Sequence, residues 1–185
     1  MTENHPRNIK IVEPFILLLL IGAAIIYTVN VFNTGNWFWF RGGTSELKPP
    51  ARIVIIDHGE RIVLQPGSDG YDAMADAAVA SLQKFNNTDL VSVGLSEQTL
   101  EDYANDSLVV ELHFDNPVIF NTMARTGEPK QLLIPIDGRH ANGAYVFRGD
   151  QGEWWFGALR MADPQPLYSA LQALGYSAEV FQRAG

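Results

Sequence analysis

Glu111, His113 and Asp115 stand two residues apart, so a β-strand carries all three on one face. A carboxylate–imidazole–carboxylate row can ligate a divalent metal or move a proton. The plainer reading is the wet face of an antiparallel strand whose other face, Leu112 and Phe114, enters a core. A metal would need a further ligand that no other segment supplies at a recognisable spacing, so no metal site is expected.

Asp57-His58-Gly59-Glu60 puts three titratable groups into four residues, enough for general acid–base work. It is also the composition of a solvated hairpin turn, with Gly59 free to take a positive φ. Glu111, His113, Asp57 and His58 are thus the catalytic candidates, each outweighed by its structural reading. Asp137-Gly138-Arg139-His140-Ala141-Asn142-Gly143 reads as a polar loop between strands, where Arg139 and His140 could meet an anion. Gly67-Ser68-Asp69-Gly70 has the outline of a phosphate cradle before a helix, but it lacks the Walker lysine. Asp69 would repel a phosphate and is better placed as a helix cap. There is no Gly-x-Ser-x-Gly elbow and no His pair at helical zinc spacing. No cofactor is implied.

Trp154-Trp155-Phe156 is a dense aromatic group. In a strand, Trp154 and Phe156 face one way and Trp155 the other, which makes Trp155 a candidate for partner binding. Asn86-Asn87-Thr88 and Asn105-Asp106-Ser107 fit the short N-glycosylation pattern, which matters only in a glycosylating host.

Composition narrows the classes. The chain has 185 residues, 46% of them hydrophobic, sufficient for one ordinary core plus extras. A net charge of -8 argues against holding nucleic-acid phosphates. With no cysteine, disulfides, thiolate metal sites, cysteine nucleophiles and lipoprotein acylation are excluded.

The strongest signal is N-terminal. Phe15 to Phe32 carries no charge and consists mostly of Leu, Ile, Val and Phe, apolar all round. Favourable transfer of these side chains, about 0.3–0.6 kcal/mol each, sums to roughly 4–7 kcal/mol and outweighs Thr28 and Asn30. Trp37, Phe38, Trp39 and Phe40 followed by Arg41 are the occupants expected of a headgroup zone. A single membrane-spanning helix is therefore expected, with Phe15, Leu17, Leu20, Ile25, Trp37 and Trp39 against lipid. A cleaved signal peptide cut near Gly22-Ala23-Ala24 and a buried core helix are the lesser readings. Lys and Arg counts on the two sides do not fix orientation. Beyond Arg41 the chain has 10 Lys+Arg against 19 Asp+Glu, net -9, a poor neighbour for anionic cytoplasmic lipid. The expectation is an extracytoplasmic C-terminal domain.

The organisation expected is a tail at 1–13, a transmembrane helix at 14–33, an aromatic interface and linker at 34–50, and a soluble α+β domain at 51–185. Within the domain, strands are expected at Ile53–Ile56, Arg61–Gln65, Leu90–Leu95, Leu108–Phe114, Val118–Met123, Gln131–Asp137, Ala144–Arg148 and Glu153–Arg160. Helices are expected over Tyr71–Phe85, Ser96–Tyr103 and Pro164–Leu174. Runs of strands joined by short turns predict an antiparallel or mixed sheet of about 6–8 strands with 2–3 helices, two covering one face. Pro135 implies an edge strand or a bulge.

Such an architecture suits an accessory subunit, assembly factor or sensor that binds a protein or ligand beside the bilayer and performs no catalysis. The partners expected are lipid and another membrane or envelope protein, without nucleic acid. Gly22-Ala23-Ala24 and Asn30 also offer a surface to a neighbouring helix. The alternative is a membrane-tethered hydrolase or metal-dependent enzyme built on Glu111 and His113.

Overall fold

The β-branched run Ile53–Ile56 is buried on both sides and forms the middle of β1 (Arg52–Asp57). In the computed structural model, which describes residues 12–34, 47–120 and 122–183, β1 pairs on both flanks. It is joined by β2 (Glu60–Leu64), β3 (Leu108–His113), β4 (Gln131–Pro135), β5 (Tyr145–Asp150) and β6 (Glu153–Arg160). The six strands lie in the order β2-β1-β3-β4-β5-β6, every neighbouring pair antiparallel. The fold is α+β.

Two of the hairpins close on two-residue turns. His58 and Gly59, then Gln151 and Gly152, all take positive φ, the conformation that matches the twist of tightly joined strands. The sheet therefore has two ends. Arg52, Leu64, His113, Gln131 and Gly149 mark the proximal end, where the chain enters from the N-terminal segment. Asp57, Glu60, Leu108 and Pro135 mark the distal end.

One face carries Ile53, Ile55, Val110, Leu112, Leu132, Ile134, Val146 and Leu159. The helices α2 (Tyr71–Ser81) and α4 (Gln165–Ala173) pack together over it through Met74, Ala78, Leu167 and Leu171. Each such Met or Leu contributes about 1.5–3 kcal/mol by leaving water. Burial at Leu167 also enlists Ser81, whose hydroxyl accepts from the Leu167 N–H at the start of α4. The opposite face carries Val54, Ile56, Val109, Leu133, Phe147 and Ala158, covered at its distal half by Tyr103 and Leu100 of α3 (Glu97–Asn105). Ser96 caps α3, its hydroxyl accepting from the Thr99 N–H.

Several expectations need correction. Among the described residues, 114–120 and 122–130 form no strand where Val118–Met123 was expected to be one, because Val118, Phe120 and Ala124 enter the core at irregular spacing. Leu90–Leu95 is likewise no full strand. Val91 makes a single bridge to Ala158, and Gly157 donates to Val93, so this segment lids the outer edge of β6. Pro135 sits in a central strand: it is the last residue of β4, past the point where pairing with β5 ends at Leu133, so no ladder bond is lost. The bulge lies between β5 and β6, at Phe147–Gly149. Asp69 does not cap α2; Gly70 does, in the left-handed conformation and without a side-chain bond. A short helix α5 (Glu179–Arg183) follows α4, through Val180 and Phe181 on the same core.

At the N-terminus, α1 (Val12–Thr34) is one continuous helix, long and apolar enough to cross a membrane. Phe15, Leu17, Leu20 and Ile25 are exposed; Val31, near its end, is buried. Thr28 and Asn30 donate to the carbonyls of Ala24 and Ile26 one turn back, which satisfies polar groups in an apolar surround. Trp37 and Trp39 lie outside the described residues.

Candidate functional site

The uncovered proximal half of the second face holds a polar network that the sheet itself positions. Alternation along β3 turns Glu111 and His113 to this face. The register sets Arg52 of β1 and Gln131 of β4 on either side of His113. Arg52 Nη2 lies 3.2 Å from His113 Nδ1, and Gln131 Nε2 lies 3.3 Å from the same atom. Both partners donate: arginine has no acceptor, and the Gln131 oxygen is committed to the Gly152 N–H at 2.8 Å. Nδ1 is therefore the acceptor, and Nε2–H donates to Glu111 Oε2 at 3.3 Å. Arg61, on the neighbouring β2, donates to that same oxygen at 3.3 Å. His113 and Glu111 retain 17% and 15% of their side-chain exposure, so solvent reaches the pair.

Chemically, this is an oriented imidazole–carboxylate pair with two guanidinium groups beside it. Asp115 lies beyond the end of β3, exposed, and makes no third member. Among the described residues, no group of three or more His, Cys, Asp or Glu is gathered to hold a metal ion.

Asp57 and His58 are elsewhere. The register puts Arg52 opposite His113 and Asp57 opposite Leu108. Five residues of strand, about 17 Å, separate the two clusters. His58 Nδ1 bonds Asp57 Oδ1 at 2.7 Å in the exposed β1–β2 turn. That hydrogen bond raises the His58 pKa from its ordinary value.

His140 also belongs to the distal end. Its Nδ1 is hydrogen-bonded to the Tyr103 hydroxyl at 2.6 Å, and its ring lies among those of Tyr145 and Phe147. Burial, and then the adjacent Arg139, lower its pKa. Burial pushes the Tyr103 phenol up. Arg139 is exposed. The loop at Gly67–Gly70 closes on itself, Ser68 Oγ donating to the Gln65 carbonyl and accepting from its N–H.

Trp155 is half-buried against Gly127, with the Arg148 guanidinium 5.9 Å from its ring. The exposed aromatic of the trio is Phe156, at 70%, on the second face. Asn87, in the first glycosylation pattern, bonds Asp89 and the Arg160 N–H at the β6 edge.

Sequence reasoning passed over Arg52, Arg61 and Gln131. Pairing Ile53–Ile56 with Leu108–His113 would have placed the first beside His113, but strand order is not written in local pattern. It also passed over Arg148, a buried guanidinium on β5. Arg148 donates to the carbonyls of Arg125, Thr126, Phe156 and Gly157, tying the 114–130 loop to β6. Its Nε–H is buried without a partner. Comparison with protein families, with curated proteins and with solved structures finds no match to this chain.

Proposed function

We propose that the chain is a single-pass membrane protein whose extracytoplasmic α+β domain works by binding another membrane or envelope protein, as an accessory subunit, assembly factor or sensor. The observation that carries the reading is α1: a helix of 23 residues with its large apolar side chains turned outward and with Thr28 and Asn30 bonded to its own backbone. Only a lipid or protein surround makes such a surface favourable. The domain supports it through its half-open sheet face, where Phe156 and Val63 are exposed on either side of the Glu111–His113 network. An isolated cleaved domain would have no use for the helix, and a core helix would be buried.

Alkaline carbonate extraction of native membranes tests the anchor, and protease protection of sealed vesicles tests the orientation. A mild-detergent pull-down with mass spectrometry tests the partner. Release of the intact chain by carbonate would end the reading.

A tethered enzyme is the second reading, favoured by the contact between Glu111 and His113. Asp57, His58 and His140 stand at the distal end, so this reading rests on that pair alone. A hydrolase activity that survives Glu111→Gln and His113→Ala would remove it.

A further inference from the structure

We infer that His113 is a proton-operated switch: a proton taken up at its Nδ1 turns the Gln131 amide over and frees the β5–β6 turn from its side-chain tie to β4.

The switch follows from what bonds each ring nitrogen. Nε2–H donates to Glu111 Oε2 at 3.3 Å, and a charged ring keeps and strengthens that bond. Nδ1 is bonded by Arg52 Nη2 at 3.2 Å and by Gln131 Nε2 at 3.3 Å. Both of these are donors, and neither nitrogen can accept from an Nδ1–H. A second proton on the ring therefore sets three donors against one another, one of them a guanidinium with its own positive charge. Turning the ring over brings no relief, because both nitrogens of an imidazolium carry hydrogen.

Arg52 and Gln131 have different ways out. Arg52 is exposed, and its guanidinium can swing into water. Gln131 is half-buried, and its amide can turn over so that Oε1 faces the new Nδ1–H. That oxygen already accepts from the Gly152 N–H at 2.8 Å, and a backbone N–H can bond no other atom of the amide. Turning the amide puts Nε2 against the Gly152 N–H, donor to donor, and the tie is lost. Gly152 is exposed, so its N–H is left to water. With Gln151 it forms the β5–β6 turn, both residues at positive φ. A proton gained on β3 is thus felt beyond β4, in a hairpin turn that His113 does not touch.

The other charges around His113 do not share this coupling. Glu111 on β3 keeps Nε2–H and Arg61 of β2 on one oxygen in either form of the ring. Asp115 lies beyond the end of β3, and Lys130 precedes Gln131. Asp150 and Glu153 flank the turn itself, and Asp150 Oδ1 accepts from the Gln151 N–H at 2.9 Å. These two carboxyl groups are the competing source of any pH response at Gly152.

Nuclear magnetic resonance of the isotope-labelled full chain in detergent micelles tests the switch between about pH 8 and pH 5, the range in which histidines change charge. The His113 ring nitrogens, the Gln131 side-chain amide and the Gly152 amide proton are followed together. As the ring gains its proton, the Gly152 amide should move upfield with the same midpoint. Its hydrogen exchange, corrected for the intrinsic effect of pH, should quicken about fivefold, the factor that one ordinary hydrogen bond supplies. In His113→Ala and in Gln131→Met, the Gly152 amide should stop following pH over this range. A Gly152 amide that stays still while His113 titrates would overturn the inference, and so would a His113 that takes up no proton. A Gly152 amide that moves in both variants would overturn it in favour of Asp150 or Glu153. Movement that persists in Gln131→Met alone would show that the signal bypasses the amide, which also overturns it.

Discussion

The Tyr103 hydroxyl and Nδ1 of His140 share a hydrogen bond of 2.6 Å, joining α3 to the loop that follows β4. Tyr103 is buried and His140 half-buried, so water does not freely replace either partner. Tyr103→Phe keeps the ring and strands the imidazole nitrogen. Loss of about 1–2 kcal/mol is expected. It is read as a lower urea midpoint with an unchanged slope; an unshifted midpoint would mean that the bond contributes nothing.

Acid should weaken the fold through His140. Burial and Arg139 hold its folded pKa below the ordinary value of 6.5, so the unfolded chain binds its proton more readily. The stabilisation is whole above about pH 6.5 and shrinks as pH falls toward the folded value. His58 has the opposite sign: Asp57 raises it, so its contribution is present below about 6.5 and fades as pH rises. That imidazole is exposed, and solvent screens it. His140→Gln, whose amide can still bond the Tyr103 hydroxyl but does not titrate, should flatten the loss of urea resistance between about pH 7 and pH 5.5. Superimposable curves would exclude His140 as the source.

Directionality around His113 is open to direct observation. Long-range nitrogen correlation should find the proton on Nε2, because Arg52 and Gln131 both donate to Nδ1. A double-mutant cycle on Glu111 and His113 should yield a coupling of about 0.5–1.5 kcal/mol. Arg61 is half exposed, and Arg61→Ala should cost less than about 1 kcal/mol. The opposite order would put the strength of the network in the guanidinium.

Arg148 is the single polar side chain whose loss should unfasten a whole segment. Arg148→Met leaves carbonyls at Arg125, Thr126, Phe156 and Gly157 without their donor. About 3 kcal/mol or more of destabilisation is expected. Amide exchange around Thr126 and Gly127 should accelerate more than exchange in α2. Uniform acceleration would show that the guanidinium supports the whole core rather than the loop.

Arginine scanning of α1 separates insertion from mere association. One arginine near the helix centre, as in Ile21→Arg, costs about 2.5–3.5 kcal/mol against a gain of roughly 4–7, so insertion should weaken but persist. Ile21→Arg with Leu18→Arg should abolish it, measured by carbonate resistance. A double variant that still resists extraction would contradict a lipid-embedded helix.

Local pattern made α1, β1, α3, α4 and β3 legible, because each owes its form to its own residues: an unbroken apolar run, a β-branched run, a serine cap, an Asp-Pro start, strict alternation. Val118–Met123 read as a strand for the same reason, yet Phe120 and Val118 are drawn into the core by a neighbouring sheet that a local window does not contain. The polar site was half legible. The spacing of Glu111 and His113 gave their shared face, whereas Arg52, Arg61 and Gln131 came to them through strand order. That order is set by burying two faces at once, which no single segment encodes.

The 85–93 segment covers the outer edge of β6 from Gly157 to Arg160, so the two borders of the sheet are unequal among the described residues: β2 presents its full length, β6 only Glu153–Phe156. A strand arriving from another molecule meets its longest run of free backbone partners at β2, and edge-to-edge association is expected to begin there.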